Sequence, residues 1–268
     1  MIININNKPS AMNVFRNHFV YALLLVLSFS VSCTHERERN DLVLRNAVKD
    51  VDGNKYDAVK IGKQVWMKSN LRTTHFRDKS PVPQGDIFYH NKTDPRFFKP
   101  NTQTFPIYNE ERDGLYYNWP AVVDERGLCP KGWHVPDDDD WLELREYVGK
   151  KTELVYGTDY RNIAKALASQ AGWEESDVEG SPGCHPEENN ATNLSLTPTG
   201  YLAWEDDPSN YGSEAAYWTA TESPVAQNIS GQIYKDWGYV NNIYSVLPRI
   251  RTSNSAKYAG HPVRCIKD

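Results

Sequence analysis

The sequence predicts an α+β domain with two helices and a looped, mainly antiparallel sheet. Two patterns carry that prediction. Apolar residues recur at helical spacing between positions 137 and 173, and from Leu194 onward short aromatic or apolar runs alternate with Gly, Pro, Asn and Ser. Aromatic residues make up 12% of the 268, enough to build a core, so a folded domain is expected rather than a disordered chain.

The N-terminal segment stands apart from this pattern. Phe19 to Val31 reads FVYALLLVLSFSV without a charge, preceded by Arg16 and His18 and followed by Ser32 and Cys33. A charged start, an apolar stretch and a small-residue cleavage zone define a secretory signal, here residues 1–32, with Met12 as a candidate start. The run is shorter than the roughly 20 residues that a membrane-crossing helix needs. A small residue followed by Cys resembles the lipoprotein signals of bacteria, which makes Cys33 the expected lipidation site, although Ser30 stands where Leu is usual. Such acylation implies a membrane partner through an N-terminal anchor, and a place in the bacterial cell envelope as an outer membrane lipoprotein. Residues 33–48, polar and charged, read as a tether, and the domain is expected over 49–268.

Within the domain, Asp52-Gly53 marks a turn, and Tyr56, Val59, Ile61 and Val65 flank Gly62-Lys63 in a hairpin pattern. From Thr73 to Asn109 no periodicity emerges, and a long irregular loop is expected. The first helix is DDDDWLELREYVGKK, with Trp141, Leu144 and Val148 on one face, aspartates over its N-terminus and Gly149 with two lysines closing it. The Asp137–Asp140 run suits capping better than calcium, because consecutive helical side chains diverge. The second helix is DYRNIAKALASQAGW, with Asp159 and Gly172 as expected caps. Strands follow in LSLTPTGYLAW, AAYWTATES, GQIYKDWGYVNNIYSV and HPVRCIKD.

Composition narrows the chemistry. A net charge of −5 with no basic, aromatic-interleaved block argues against nucleic acid as a partner. With Cys33 lipidated, Cys129, Cys184 and Cys265 remain, and spacing alone leaves their pairing open. No Cys-x-x-Cys or paired-His spacing marks a zinc site. His134 invites a catalytic reading, but no nucleophile motif accompanies it, and a packed or hydrogen-bonded His134 is expected. No catalytic residue, cofactor or metal is expected.

The segments DGNKYDAVKIGKQVWMKSNL, GLYYNW, LCPKGWHVPDDDDWLEL, ALASQAGW, LTPTGYL, AAYWTATES and PVRCIKD together resemble the Fibrobacter succinogenes major paralogous domain, from about Asp50 to the last residue. The resemblance implies a C-type-lectin-like fold, export, often as a lipoprotein, and no established biochemical activity. It also implies a Cys129–Cys265 disulfide, contributing about 4 kcal/mol on the chain-entropy model, with Cys184 free in a loop outside the matching segments. Trp66, Trp119, Trp133 and Trp218 fall in matching segments and are expected in the core. C-type lectins place their ligand site on a loop of the strand-rich half, where Trp204, Glu205, Asp206, Asp207, Asn210 and Tyr211 stand. Carboxylates and an amide there could hold calcium or sugar hydroxyls, although the Glu-Pro-Asn and Trp-Asn-Asp signatures are missing. The expected role is non-catalytic binding or adhesion, with a glycan or another envelope protein as partner. Carbohydrate capture is the first alternative, and an enzyme related to sulfatase-modifying domains the second.

Overall fold

The computed structural model describes residues 43–85, 93–103, 105–203, 208–225, 227–229, 232–234 and 236–268. The segment expected as a secretory signal, Cys33 and most of the expected tether lie outside these residues. Val43–Asp268 forms one compact unit, and its strand pairings are antiparallel. The α+β expectation therefore holds. The principal sheet runs β1 (Val43–Lys49), β2 (Lys55–Ile61), β3 (Gln64–Met67), β13 (Ile266–Lys267) and β6 (Trp133–His134). A second sheet runs β11 (Arg251–Ala256), β10 (Trp237–Tyr244), β7 (Glu214–Glu222), and a third β12 (His261–Pro262), β5 (Tyr116–Tyr117), β4 (Phe97–Phe98). β8 (Gln227–Ile229) and β9 (Gln232–Tyr234) pair as a hairpin.

The hairpin forms where the sequence places it. Ile61 pairs with Gln64 across Gly62-Lys63. Gly62 takes φ +63°, and a Cβ there would lie 2.8 Å from the Tyr147 ring, so both conformation and space require glycine. Val43–Lys49, most of it expected in the tether, is instead strand β1. It pairs with β2 across a register irregularity between Leu44 and Val48, and Arg45 bonds Asp57 at 2.6 Å. Its run of exposed side chains, Leu44 to Ala47, has no buried–exposed alternation to mark a strand in the sequence.

Both faces of the central strands are buried. On β2, Tyr56 and Ala58 enter one core while Val59 and Ile61 enter a second. β7 divides likewise, with Trp218 in the first core and Ala215 and Tyr217 in the second. Near-continuous apolar runs such as AAYW are the sequence trace of this double burial. The helix expected first, α3 (Asp138–Gly149; α1 is Glu110–Asp113 and α2 Trp119–Val122), lays Trp141, Leu144 and Val148 into the second core. Trp141 meets Trp66 at 4.8 Å between ring centroids. A capping box closes its N-terminus: Asp137 accepts from the Asp140 N–H, and Asp140 accepts from the Asp137 N–H. The aspartate run is thus cap and first turn.

The second helix departs from expectation. Only Ala164–Leu167 (α4) is helical, and neither Asp159 nor Gly172 caps it. Asp159 closes a turn on Arg161 and Asn162 instead. After Leu167 the backbone extends, because Ala168 bridges Leu196 and the Ser169 N–H donates to the Leu196 carbonyl at 2.8 Å. Pairing to a distant segment outweighs the local alanine preference for helix. LSLTPTGYLAW correspondingly makes isolated bridges rather than a named strand. The 73–109 stretch, expected as an irregular loop, carries β4 and buries Phe76, Val82, Phe97, Phe98 and Tyr108.

Cys129 and Cys265 form the disulfide that the resemblance implied, and Cys184 is free and buried. Trp66, Trp133 and Trp218 are core residues. Trp119 is only partly buried, its ring covered by the Lys257 ammonium at 4.4 Å.

Candidate functional site

The site begins as a consequence of strand register. Across the second sheet, Glu214 pairs with Tyr244, Ala216 with Asn242, and Val240 with both Trp218 and Ser253. Directly paired residues share a face, so these side chains lie on one side of the sheet. Ala216, Ser253 and Ser255 are small, which leaves a depression on this face. The extended stretch carrying Tyr201 and Ala203 lines it together with Tyr258, Ala259 and His261. Leu202 pairs with Gly260, and Gly200 bridges Ala215, so both borders are tied to the main chain of the domain. The result is a cavity of about 390 Å³, open to solvent.

Polar groups line its base. Glu214 is buried; its carboxylate accepts from Asn210 Nδ2 at 2.7 Å and from Asn242 Nδ2. Ser253 donates to Asn242 Oδ1, fixing the amide in turn. Burial, with the Glu214 charge and a hydrogen bond to that carboxylate, pushes the Tyr244 phenol up to about 12, so it stays neutral. His261 is buried with its Nε2 2.7 Å from Ser255 Oγ, and burial lowers its pKa to about 3. Its ring stacks on Tyr201 at 5.2 Å and meets the edge of Trp218 at 4.6 Å. Tyr201, Trp237, Tyr244 and Tyr258 are half-buried around this base. Partly exposed rings beside fixed carboxylate, amide and hydroxyl groups can bind a ligand that has both an apolar face and several hydroxyls.

The structure divides the residues singled out in the sequence. Asn210 lines this cavity. Tyr211 turns away into a separate cavity of about 250 Å³ with Arg112, Asp113 and Thr199, and its hydroxyl donates to Asp113 Oδ2 at 3.0 Å. Burial, with Asp113 beside it, pushes that phenol up. Asn210 and Tyr211 thus serve two places rather than one. Trp204, Glu205, Asp206 and Asp207 lie outside the described residues. His134 is hydrogen-bonded, as expected: Nε2 lies 3.1 Å from Asp140 and Nδ1 2.8 Å from Asp268. Burial disfavours its charged form, but the two carboxylates outweigh burial and raise its pKa.

Tyr201, Glu214, Trp237, Tyr244 and His261 were not singled out in the sequence. Glu214 left one signal, a carboxylate opening the apolar run of β7, since a buried acid is unusual unless held by partners.

A profile of the Fibrobacter succinogenes major domain matches residues 59–267. The chain belongs to this family. The match covers the cavity-forming strands, the disulfide and the Cys184 loop, so the family extends through the loop that the sequence segments left out. Comparison with curated proteins and with solved structures finds no match. Among the described residues, no helix of this Fibrobacter succinogenes major domain protein is long and apolar enough to cross a membrane.

Proposed function

We propose that this protein is a non-catalytic, lipid-anchored binding protein of the bacterial cell envelope, and that the β7–β10–β11 cavity binds a glycan. The observation that carries the reading is the convergence of Tyr201, Trp237 and Tyr244 on a base where Glu214, Asn242 and Ser253 already hold one another. Sugars offer an apolar ring face and directional hydroxyls, and preorganised partners lower the cost of binding them. The exposed large apolar residues, such as Leu44, Ile107 and Tyr160, belong to separate elements, which favours a glycan over a broad protein-docking face. A C-type-lectin-like fold is part of the proposal, supported by the antiparallel sheets, long connections and α3 packed beneath them. Export and lipidation at Cys33 rest on the signal-like segment and the Ser32-Cys33 pair.

The test is a glycan array probed with a chain that begins before Val43, so that β1 stays whole, run with and without calcium. Specific binding that falls about tenfold or more in Trp237→Ala or Tyr201→Ala supports the reading, that being about 1.4 kcal/mol of lost contact. A blank array with folded protein sinks it.

A further inference from the structure

Glu179, Cys184 and His185 each offer a ligand atom, and those atoms all lie within 4.8 Å of one another. We propose that these three residues form a mononuclear site for a thiophilic divalent cation, zinc first among them. Zinc takes sulfur at about 2.3 Å and nitrogen or oxygen at about 2.0–2.2 Å, which puts tetrahedral ligands roughly 3.3–3.6 Å apart. On binding, the three ligand atoms draw together from within 4.8 Å to that spacing. One thiolate, one imidazole and one carboxylate, with a fourth position open to water, is a donor set for zinc and not for the all-oxygen cations calcium and magnesium.

The backbone explains how neighbours in sequence share a site. Consecutive side chains in a strand or helix point apart. His185 takes φ +51° and ψ +63°, a left-handed conformation uncommon outside glycine, and this turns its ring toward the Cys184 thiol. The loop is held from several sides. The Ser176 N–H donates to the Gly183 carbonyl at 3.2 Å, and the Gly183 N–H to the Ser245 carbonyl at 2.9 Å. A Cβ at Gly183 would lie 2.3 Å from the Glu174 carbonyl oxygen, so the chain passes there only as glycine. The Lys165 ammonium bonds the main-chain carbonyls of both Cys184 and His185, fixing the pair from beneath.

Charge and access agree with a cation. Against the one Lys165 ammonium, Glu174, Glu175, Asp177, Glu187 and Glu188 flank the three ligands in the chain, and Glu187 lies 3.5 Å from His185 Nδ1. The Cys184 side is buried while Glu179 and His185 are exposed, so an ion enters from solvent and keeps a water as fourth ligand. On binding, the thiol proton passes to solvent and no bond to carbon changes.

The experiment uses the full chain in detergent, stripped of metal with a chelator and titrated with cobalt(II), then with zinc against a chromogenic competitor. The expected result is one equivalent of cobalt with a thiolate-to-cobalt charge-transfer band that zinc abolishes. Cys184→Ser and Cys184→Ala should lose that band. His185→Asn, which tolerates the left-handed backbone, and Glu179→Gln should weaken zinc binding by about tenfold or more. Both latter positions are exposed, so these variants stay folded even if the cysteine variants do not. A titration without the charge-transfer band overturns the proposal. So does zinc affinity unchanged in both His185→Asn and Glu179→Gln.

Discussion

Arg264 and Asn70, 194 positions apart, meet in the interior: Nε and Nη2 of the guanidinium both donate to Asn70 Oδ1, at 3.0 and 2.7 Å. Arg264 is fully buried and also reaches the carbonyls of Met67, Leu194 and Ser195 and the Tyr217 hydroxyl. Burial lowers its pKa, and these neutral acceptors take the place of a carboxylate in satisfying its donors. One side chain therefore ties β3, the 194–195 segment and β7 to the chain entering the C-terminal strand. Arg264→Ala should destabilise the domain by about 3–5 kcal/mol, through the cavity it leaves and the buried carbonyls it orphans. Asn70→Ala should cost about 2–3 kcal/mol through the donors it orphans. Urea unfolding with an unchanged slope would read both, and a shift under 1 kcal/mol for Arg264→Ala would show that the hub is dispensable (about one ordinary hydrogen bond).

The Cys129–Cys265 bond, one residue beyond that hub, closes a loop across a separation of 136. It constrains the unfolded chain, so replacing both cysteines by alanine should cost about 2–5 kcal/mol. Thermal unfolding of the double variant beside the parent checks this. Equal midpoints would mean that the packing of β13 against β3 and β6 suffices alone.

Stability should fall as pH drops from 6.5 to 5 because of His261. Its folded pKa of about 3 lies below the unfolded value near 6.5, so over this range the unfolded chain takes up the proton and the folded one does not. The loss is about 1.6 kcal/mol across those 1.5 pH units, the unfolded histidine being half protonated already at 6.5. His134 acts elsewhere: its raised pKa gives a contribution fully present below 6.5 and lost as pH rises through the folded value. Denaturation midpoints at pH 6.5 and 5 for the parent and for His261→Phe separate the two. The variant should flatten the difference, and an equal fall in both would remove His261 as its cause.

Asp137→Ala should cost about 1 kcal/mol, the usual effect of removing an N-cap carboxylate. Asp138→Ala should cost less, since Asp137 alone accepts the Asp140 N–H. Chemical denaturation of the pair checks the ranking, and an equal loss would assign the effect to helix-end charge rather than to the cap.

Legibility followed the range of the interactions. The 62–63 turn, the α3 face and its acidic cap were readable because each is decided within a few residues. The 159–173 helix was misjudged because Ala168 and Ser169 pair with Leu196, a partner that no local window contains. Strand β1 was missed because its exposed side chains do not alternate with buried ones, while its partner is β2. Only one residue of the candidate cavity was visible. Asn210 was singled out, but Glu214, Tyr244 and His261 come together only through the register of β7 with β10 and the return of β12.

By itself, then, the sequence determined the α+β class, the family, the hairpin and the capped helix, all written in periodicity, turn chemistry and ordered motifs. Only the tertiary structure decided which distant residues share a face. The buried Arg264–Asn70 pair, the split of Asn210 from Tyr211 and the meeting of Glu179 with Cys184 and His185 depend on strand register and backbone conformation. Those are set by packing across the whole domain, where a partner 194 residues away counts as much as the next residue in the chain.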